Sequence, residues 1–299
     1  MSAAIYCSRA NLKTLVFAGD FDEKGGLLSK TTYVENYPGY LEVQGFDLVS
    51  NMEQQAKKYG TSVIDRKVSK VEKSETGFIC MDSKEQKYVT KTIIIATGAK
   101  PNRLYLPNED KYWGQGIGGI SSCVVCDGAL FKLRKGDTKD KSVIVVGGGD
   151  SACEGALFLT KFTSKVTMLV RGSSMRASAI MQKRVIENSK IMILYNTEII
   201  ALCGEKKLEQ VTIKILEGIG QLDVDGLFYC LGQKPNSELF KNLVNVDDEG
   251  YVLQNKNMST SIPSMFSCGD VSDRKYRQAV VAAGEGVKAA LEVQAYLTI

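Results

Sequence analysis

The chain has 299 residues, enough for two domains of ordinary size, and its 44% apolar and 24% charged content is that of a globular protein with sizeable cores. A net charge of +4, with basic and acidic residues interspersed, argues against a nucleic-acid surface. No apolar run approaches the ~18 residues of a membrane helix, the N-terminus shows no signal-peptide pattern, and the isolated cysteines suit a reducing compartment, so the expected location is cytoplasmic.

In chain order, Ala3-Ala4-Ile5-Tyr6 has helical spacing and Thr14-Leu15-Val16-Phe17 reads as a strand. Residues 25–32 form a polar, glycine-bearing loop, and Thr92-Ile93-Ile94-Ile95-Ala96 is a strand running into Thr97-Gly98-Ala99. Pro107-Asn108-Glu109 is polar and punctuated, which marks a first crossing between domains.

Cys123-Val124-Val125-Cys126-Asp127 is the stretch richest in chemistry. Two cysteines at this spacing can close a small ring, and the helical-looking run from Ala129 places them near a helix N-terminus, where a thiolate is favoured. Thiol exchange creates thiolates that need a proton donor, and in a chain with no histidine Asp127 is the candidate. The bland readings are half a zinc site and a static bridge. No second C-x-x-C exists to complete a zinc site, so no metal is expected, and a bridge across so short a loop removes little unfolded-state entropy.

The strongest fold signal follows. Lys141-Ser142-Val143-Ile144-Val145-Val146 is a β-branched run ending in Gly147-Gly148-Gly149-Asp150, with helical spacing from Ser151 to Leu159 and a second strand over residues 165–170. This is a Rossmann crossover, and Gly147-x-Gly149-x-x-Ala152 is its fingerprint: the glycines allow a tight turn and let the backbone meet a pyrophosphate. An NAD site usually has an acid after the second strand. Here Val170 is followed by Arg171 and then Arg176, with no acid between, and guanidinium groups suit the 2′-phosphate of NADP. A plain βα turn and two solvated arginines are the competing readings.

Toward the C-terminus, Met265-Phe266-Ser267-Cys268 runs into Gly269-Asp270, and an alanine-rich helix extends from about Arg277 to Leu297. Neither flanking segment closes a core alone. The expected architecture is α/β with two Rossmann-like dinucleotide-binding domains: one discontinuous, residues 1–106 and 235–299, and an NADP-binding domain, residues 107–234, inserted into it. The second crossing is expected at Gly232-Gln233-Lys234-Pro235-Asn236.

Along essentially its whole length the chain resembles the low-molecular-weight thioredoxin reductases, a branch of the pyridine nucleotide-disulfide oxidoreductases. The residues that carry the resemblance are Gly25-Gly26, Val34-Glu35-Asn36-Tyr37-Pro38-Gly39, Ala96-Thr97-Gly98-Ala99, the Cys123 to Gly128 motif, Gly147-Gly148-Gly149-Asp150-Ser151-Ala152, Gly269-Asp270-Val271 and Tyr276-Arg277-Gln278-Ala279. The resemblance implies a homodimeric flavoenzyme passing electrons from NADPH through FAD and the dithiol to thioredoxin. In such an enzyme Cys123 would attack thioredoxin, Cys126 would face the flavin and Asp127 would be the acid. Asn36 and Gly98 would lie near FAD, Asp270 at its ribityl chain, and Arg277, Gln278 and Ala279 at its ring edge. Gly147, Gly149, Asp150, Ser151 and Ala152 would take NADPH, with Arg171 and Arg176 at its 2′-phosphate.

The pattern also departs from that family. Its members begin with a strand and a G-x-G-x-x-G turn, whereas Met1-Ser2-Ala3-Ala4 already reads as the helix that follows them, so FAD is expected to be weakly held. Leu27 stands where a glutamine is expected, and Val170, Gly172 and Ser173 replace a histidine, an arginine and an acid of the NADP loop. The alternative function is a flavin-deficient, catalytically impaired binding or regulatory relative. A relative that oxidises small dithiols with oxygen is disfavoured by Gly147, Gly149 and Arg176.

Overall fold

The computed structural model describes residues 1–20, 23–31, 34–114, 116–133 and 139–298. The chain divides into two compact units, one made of Met1–Lys100 with Lys234–Ile299, the other of Pro101–Gln233. The first passage thus lies upstream of Pro107-Asn108-Glu109. Those residues are held in the inserted unit because Leu106 N donates to Glu109 Oε2 at 2.9 Å, while Leu104, Leu106 and Tyr112 pack into that unit's core.

The inserted unit is built on a five-stranded parallel sheet, in the order Ile191–Leu194, Lys165–Leu169, Ser142–Val146, Gly226–Tyr229, Ile120–Ser121. The central strand is buried on both faces, and its side chains alternate. Val143 and Val145 meet the helices Asp150–Leu159 and Ala179–Ile186 through Ala152, Cys153, Ala156, Met181 and Val185. Ile144 and Val146 meet the antiparallel sheet Glu198–Cys203, Gln210–Ile215, Gly218–Asp223 through Ile199, Leu202, Val211 and Ile213. Strand order reverses at Ser142–Val146, whose neighbours leave in opposite directions, so the carboxyl ends of Ser142–Val146 and Gly226–Tyr229 frame the crevice where α/β sheets bind ligands.

In the other unit the helices Ser2–Arg9, Gly45–Lys58 and Ala279–Thr298 pack through Ala4, Ile5, Cys7, Ala56, Ala289, Ala290 and Val293. Its parallel strands form two separate pairs, Leu15–Phe17 with Ser62–Ile64 and Ile93–Ile95 with Met265–Ser267. An antiparallel meander, Val68–Ser74, Gly77–Asp82, Lys87–Thr90, forms a further sheet, and Ala99–Pro101 pairs with Gln233–Pro235.

Two local expectations are corrected here. The loop over residues 25–32 contains a short helix, Gly26–Ser29, entered through Gly25 at φ 81°; Thr32 lies outside the described residues. The C-terminal helix begins at Ala279 and not Arg277, because Arg277 has φ 47°, a left-handed conformation that cannot continue a right-handed helix.

Candidate active site

Ile120–Ser121 is the edge strand of the inserted unit, with Ser121 in register with Phe228 and Ile120 fully buried. The chain leaves it through Cys123, which caps the single helical turn Val124–Asp127 and is disulfide-bonded to Cys126 with Cα atoms 5.3 Å apart. The helix therefore starts earlier than the run from Ala129 suggested, and Cys126 lies within it. Cys126 N donates to Cys123 Sγ at 3.2 Å, a contact that favours a thiolate at Cys123 once the bridge is opened. Cys126 is the more exposed of the two, and Cys123 is half-buried.

Asp127 follows directly. Burial pushes its carboxyl above the usual range, partly offset by the Ser121 hydroxyl, which donates to Asp127 Oδ2 at 2.5 Å. The chain's other thiols are poor competitors as nucleophiles where they are buried. Burial raises Cys7, Cys80 and Cys153, and it pushes Cys230 and Cys268 up to about 12.

The dithiol turn rests on the helix that follows the glycine turn. Val124 packs against Gly155, where a β-carbon would stand 3.1 Å from Val124 Cγ2 and 3.3 Å from Cys230 Sγ. At the head of that helix Gly147 adopts φ 145°, and a β-carbon there would meet Cys230 O at 2.5 Å, so the turn needs glycine on both counts. Gly149 is extended and caps the helix, with open space where its side chain would be, and Ala152 is buried beneath Gly147. Asp150 Oδ1 accepts from Ser178 N at 2.9 Å and Ser178 Oγ at 2.7 Å, bonds that hold its carboxyl below the usual range, while Ser151 is exposed.

The arginine-bearing loop is laced to this turn. Arg176 N and Ala177 N both donate to Gly148 O, at 2.7 and 3.1 Å, so Arg176 sits at the turn with its side chain exposed. Arg171 is exposed at the other end of the loop, its Nε 3.9 Å from Glu198 Oε1.

A second set of the sequence-predicted residues assembles in the other unit. Asn36 Nδ2 donates to Gln278 Oε1 at 3.2 Å, across 242 residues of chain. Arg277 donates to Tyr251 OH at 3.3 Å, while its Nε is buried without a partner among the described residues. Burial pushes the Asp270 carboxyl up, and the nearby Arg277 pulls it back. Gly98 has φ 68° and accepts from Asn236 N at 2.9 Å, and Ala279 opens the last helix. Ser121, Ser178 and Tyr251 escape a reading of the sequence because each acts by a hydrogen bond between segments that no spacing reveals.

A family model described as pyridine nucleotide-disulphide oxidoreductase matches residues 1–286. The chain belongs to this family. Thioredoxin reductase 1 of Saccharomyces cerevisiae is 43% identical over 308 residues, covering 99% of this chain and 94% of its own length. The same organism's mitochondrial thioredoxin reductase 2 is 42% identical, covering 99% of this chain and 88% of itself. The solved thioredoxin reductase from Giardia duodenalis superposes with a TM-score of 0.89 at 36% identity, covering 100% of this chain and 95% of that one. The two-domain Rossmann-like fold of these oxidoreductases is the fold of this chain, its branch is that of the low-molecular-weight thioredoxin reductases, and the flavin-deficient alternative is not favoured. It is an enzyme of the NADPH-dependent flavoprotein disulfide oxidoreductase class. No helix among the described residues is long and apolar enough to cross a membrane.

Both cofactors of such an oxidoreductase can be tested against the residues present. The glycine turn, the helix behind it and Arg176 suit a dinucleotide pyrophosphate and a 2′-phosphate. In the other unit a buried carboxyl, an arginine with an orphaned buried N–H and a carboxamide pair suit the hydroxyl chain and polar ring edge of a flavin.

Proposed function

We propose that the chain is a thioredoxin-disulfide reductase that moves two electrons from NADPH through FAD and the Cys123–Cys126 pair to oxidised thioredoxin. The observation that carries this reading is a C-x-x-C closed as a disulfide, with a carboxyl whose pKa burial raises directly after it, in the same unit as a nucleotide-type glycine turn.

In this reading Gly147, Gly149, Asp150, Ser151 and Ala152 form the NADPH turn, and Arg176 and Arg171 receive the 2′-phosphate. Asn36, Gly98, Asp270, Arg277, Gln278 and Ala279 hold the flavin, which when bound supplies a two-electron relay between nicotinamide and disulfide. The discontinuous unit is then the FAD domain and the inserted unit the NADP domain. Once the pair is reduced, Cys123 thiolate attacks one sulfur of the thioredoxin disulfide. A Cys123–thioredoxin bond forms, the thioredoxin bond breaks, and the departing thiolate takes a proton from Asp127. Cys126 then gives its proton to the carboxylate left at Asp127 and attacks Cys123 Sγ; the Cys123–thioredoxin bond breaks, the internal disulfide re-forms and thioredoxin leaves reduced.

The six free cysteines suit a reducing compartment such as the cytoplasm, and a homodimer is the assembly that the family resemblance implies. The test is NADPH oxidation by the purified protein with oxidised thioredoxin as acceptor, alongside Cys126→Ser, which should trap thioredoxin on Cys123 as a mixed disulfide. Trapping through Cys7, Cys80 or Cys268 would overturn the assignment. Light scattering reads the assembly.

A further inference from the structure

The Ser121 side chain stands between two partners that the exchange chemistry needs held together. Cys123 N donates to Ser121 Oγ at 3.0 Å, and Ser121 Oγ lies 2.5 Å from Asp127 Oδ2. The same hydroxyl has a second acceptor within reach, Cys123 O at 3.4 Å. A hydroxyl carries one proton and two lone pairs. With the Cys123 N–H on one lone pair, Ser121 can give its proton to an ionised Asp127, or accept the proton of a neutral Asp127 on the second lone pair and turn its own toward Cys123 O. Both protonation states of the acid are satisfied without movement of a heavy atom.

We propose that Ser121 is the positioning residue of the general acid, its hydroxyl fixing Asp127 to the main chain of Cys123 and reversing its hydrogen bond as Asp127 gains or loses its proton. The support is rigid, because Ser121 ends a strand paired with Phe228 and preceded by buried Ile120. Among the described residues the surroundings add no competing charge. The glycine-turn helix presents Gly155 to Val124 and Phe158 to Gly128, with the Cys230 thiol beside Gly155 and its own Asp150 and Glu154 exposed. The following turn, Gly128–Phe131, carries no titratable side chain. Burial and the Ser121 hydroxyl are the two influences on the acid.

The inference rests on Asp127 as proton donor to a departing thiolate, so its test uses the dithiol directly. Wild-type protein, Ser121→Ala and Ser121→Thr are reduced with dithiothreitol, freed of it, and mixed with either of two disulfides across a range of pH. Oxidised thioredoxin releases an alkyl thiolate that needs a proton, whereas an activated aromatic disulfide releases a thiolate that needs none. Ser121→Ala should slow the alkyl reaction about tenfold, a fraction of what a general acid supplies, and leave the aromatic one within about twofold. Removing the donor to the carboxylate should also carry the alkaline limb of the alkyl reaction to higher pH. Ser121→Thr should restore both, and in an Asp127→Asn background Ser121→Ala should add nothing.

Equal slowing of both disulfides, an unmoved limb, or no slowing would overturn the proposal. Should Ser121→Ala not fold, Ser121→Cys, a weaker donor of similar size, carries the same comparison. A dithiol that behaves as described in a protein that does not oxidise NADPH would instead overturn the reductase reading and leave this one standing.

Discussion

A carboxyl open to water is ionised at neutral pH and has no proton to give. Asp127 differs because burial raises its pKa more than the Ser121 bond lowers it. In the proposed reading the neutral acid is the donor, so thioredoxin reduction should fall as pH rises through this raised pKa. Asp127→Asn should remove that limb and lower kcat about a hundredfold, as a pH–rate profile would show. At the nucleotide end the proposed reading gives the 2′-phosphate two exposed arginines, Arg171 and, beside the glycine turn, Arg176. Losing one charge-assisted bond is worth about 1.5–3 kcal/mol, so Arg176→Ala should weaken NADPH and spare NADH in a fluorescence titration. An unchanged ratio would place the phosphate elsewhere. Residues whose chemistry is local were legible in the sequence: two cysteines and an acid in five positions declare themselves. The Asn36–Gln278 pair and the left-handed Arg277 were not, since one depends on a contact across 242 residues and the other on a backbone angle.

Between elements, the informative contact is that of the dithiol turn with the glycine-turn helix. Gly155 has no side chain at the point where Val124 and Cys230 crowd it, so the two elements lie closer than any other residue would allow without adjustment. Gly155→Val should cost about 1–3 kcal/mol through overpacking, read in urea unfolding, and should slow dithiol exchange by displacing the turn that carries Cys123. Unfolding and exchange rates both equal to wild type would show that the contact is slack. The Gly147, Gly149 and Ala152 pattern was readable because strand, turn and helix each carry their own periodicity, and those signals agree. In the division into compact units the first passage falls between Lys100 and Pro101, upstream of the expected Pro107. Proline and asparagine there punctuate a capped turn inside the unit, and turn chemistry alone does not separate an internal turn from a domain crossing.

At the scale of the whole chain the two units carry the same Rossmann logic to different degrees. In the inserted unit the strand Ser142–Val146 lies between Lys165–Leu169 and Gly226–Tyr229 and ends in the glycine turn. In the other unit the corresponding flanking strands are Leu15–Phe17 and Ile93–Ile95, and among the described residues no strand joins the pairs to which they belong. Among the described residues each pair keeps an edge of unpaired backbone groups. In the proposed reading Asp270, Arg277, Asn36 and Gln278 would frame the ribityl chain and polar ring edge of a flavin. Arg277→Ala should therefore lower the flavin content of the purified protein several-fold, since it removes the guanidinium beside the buried Asp270 carboxyl. Flavin absorbance on wild type and variant, each scaled to protein concentration, reads the change. Equal absorbance would show that this end of the unit does not hold the flavin.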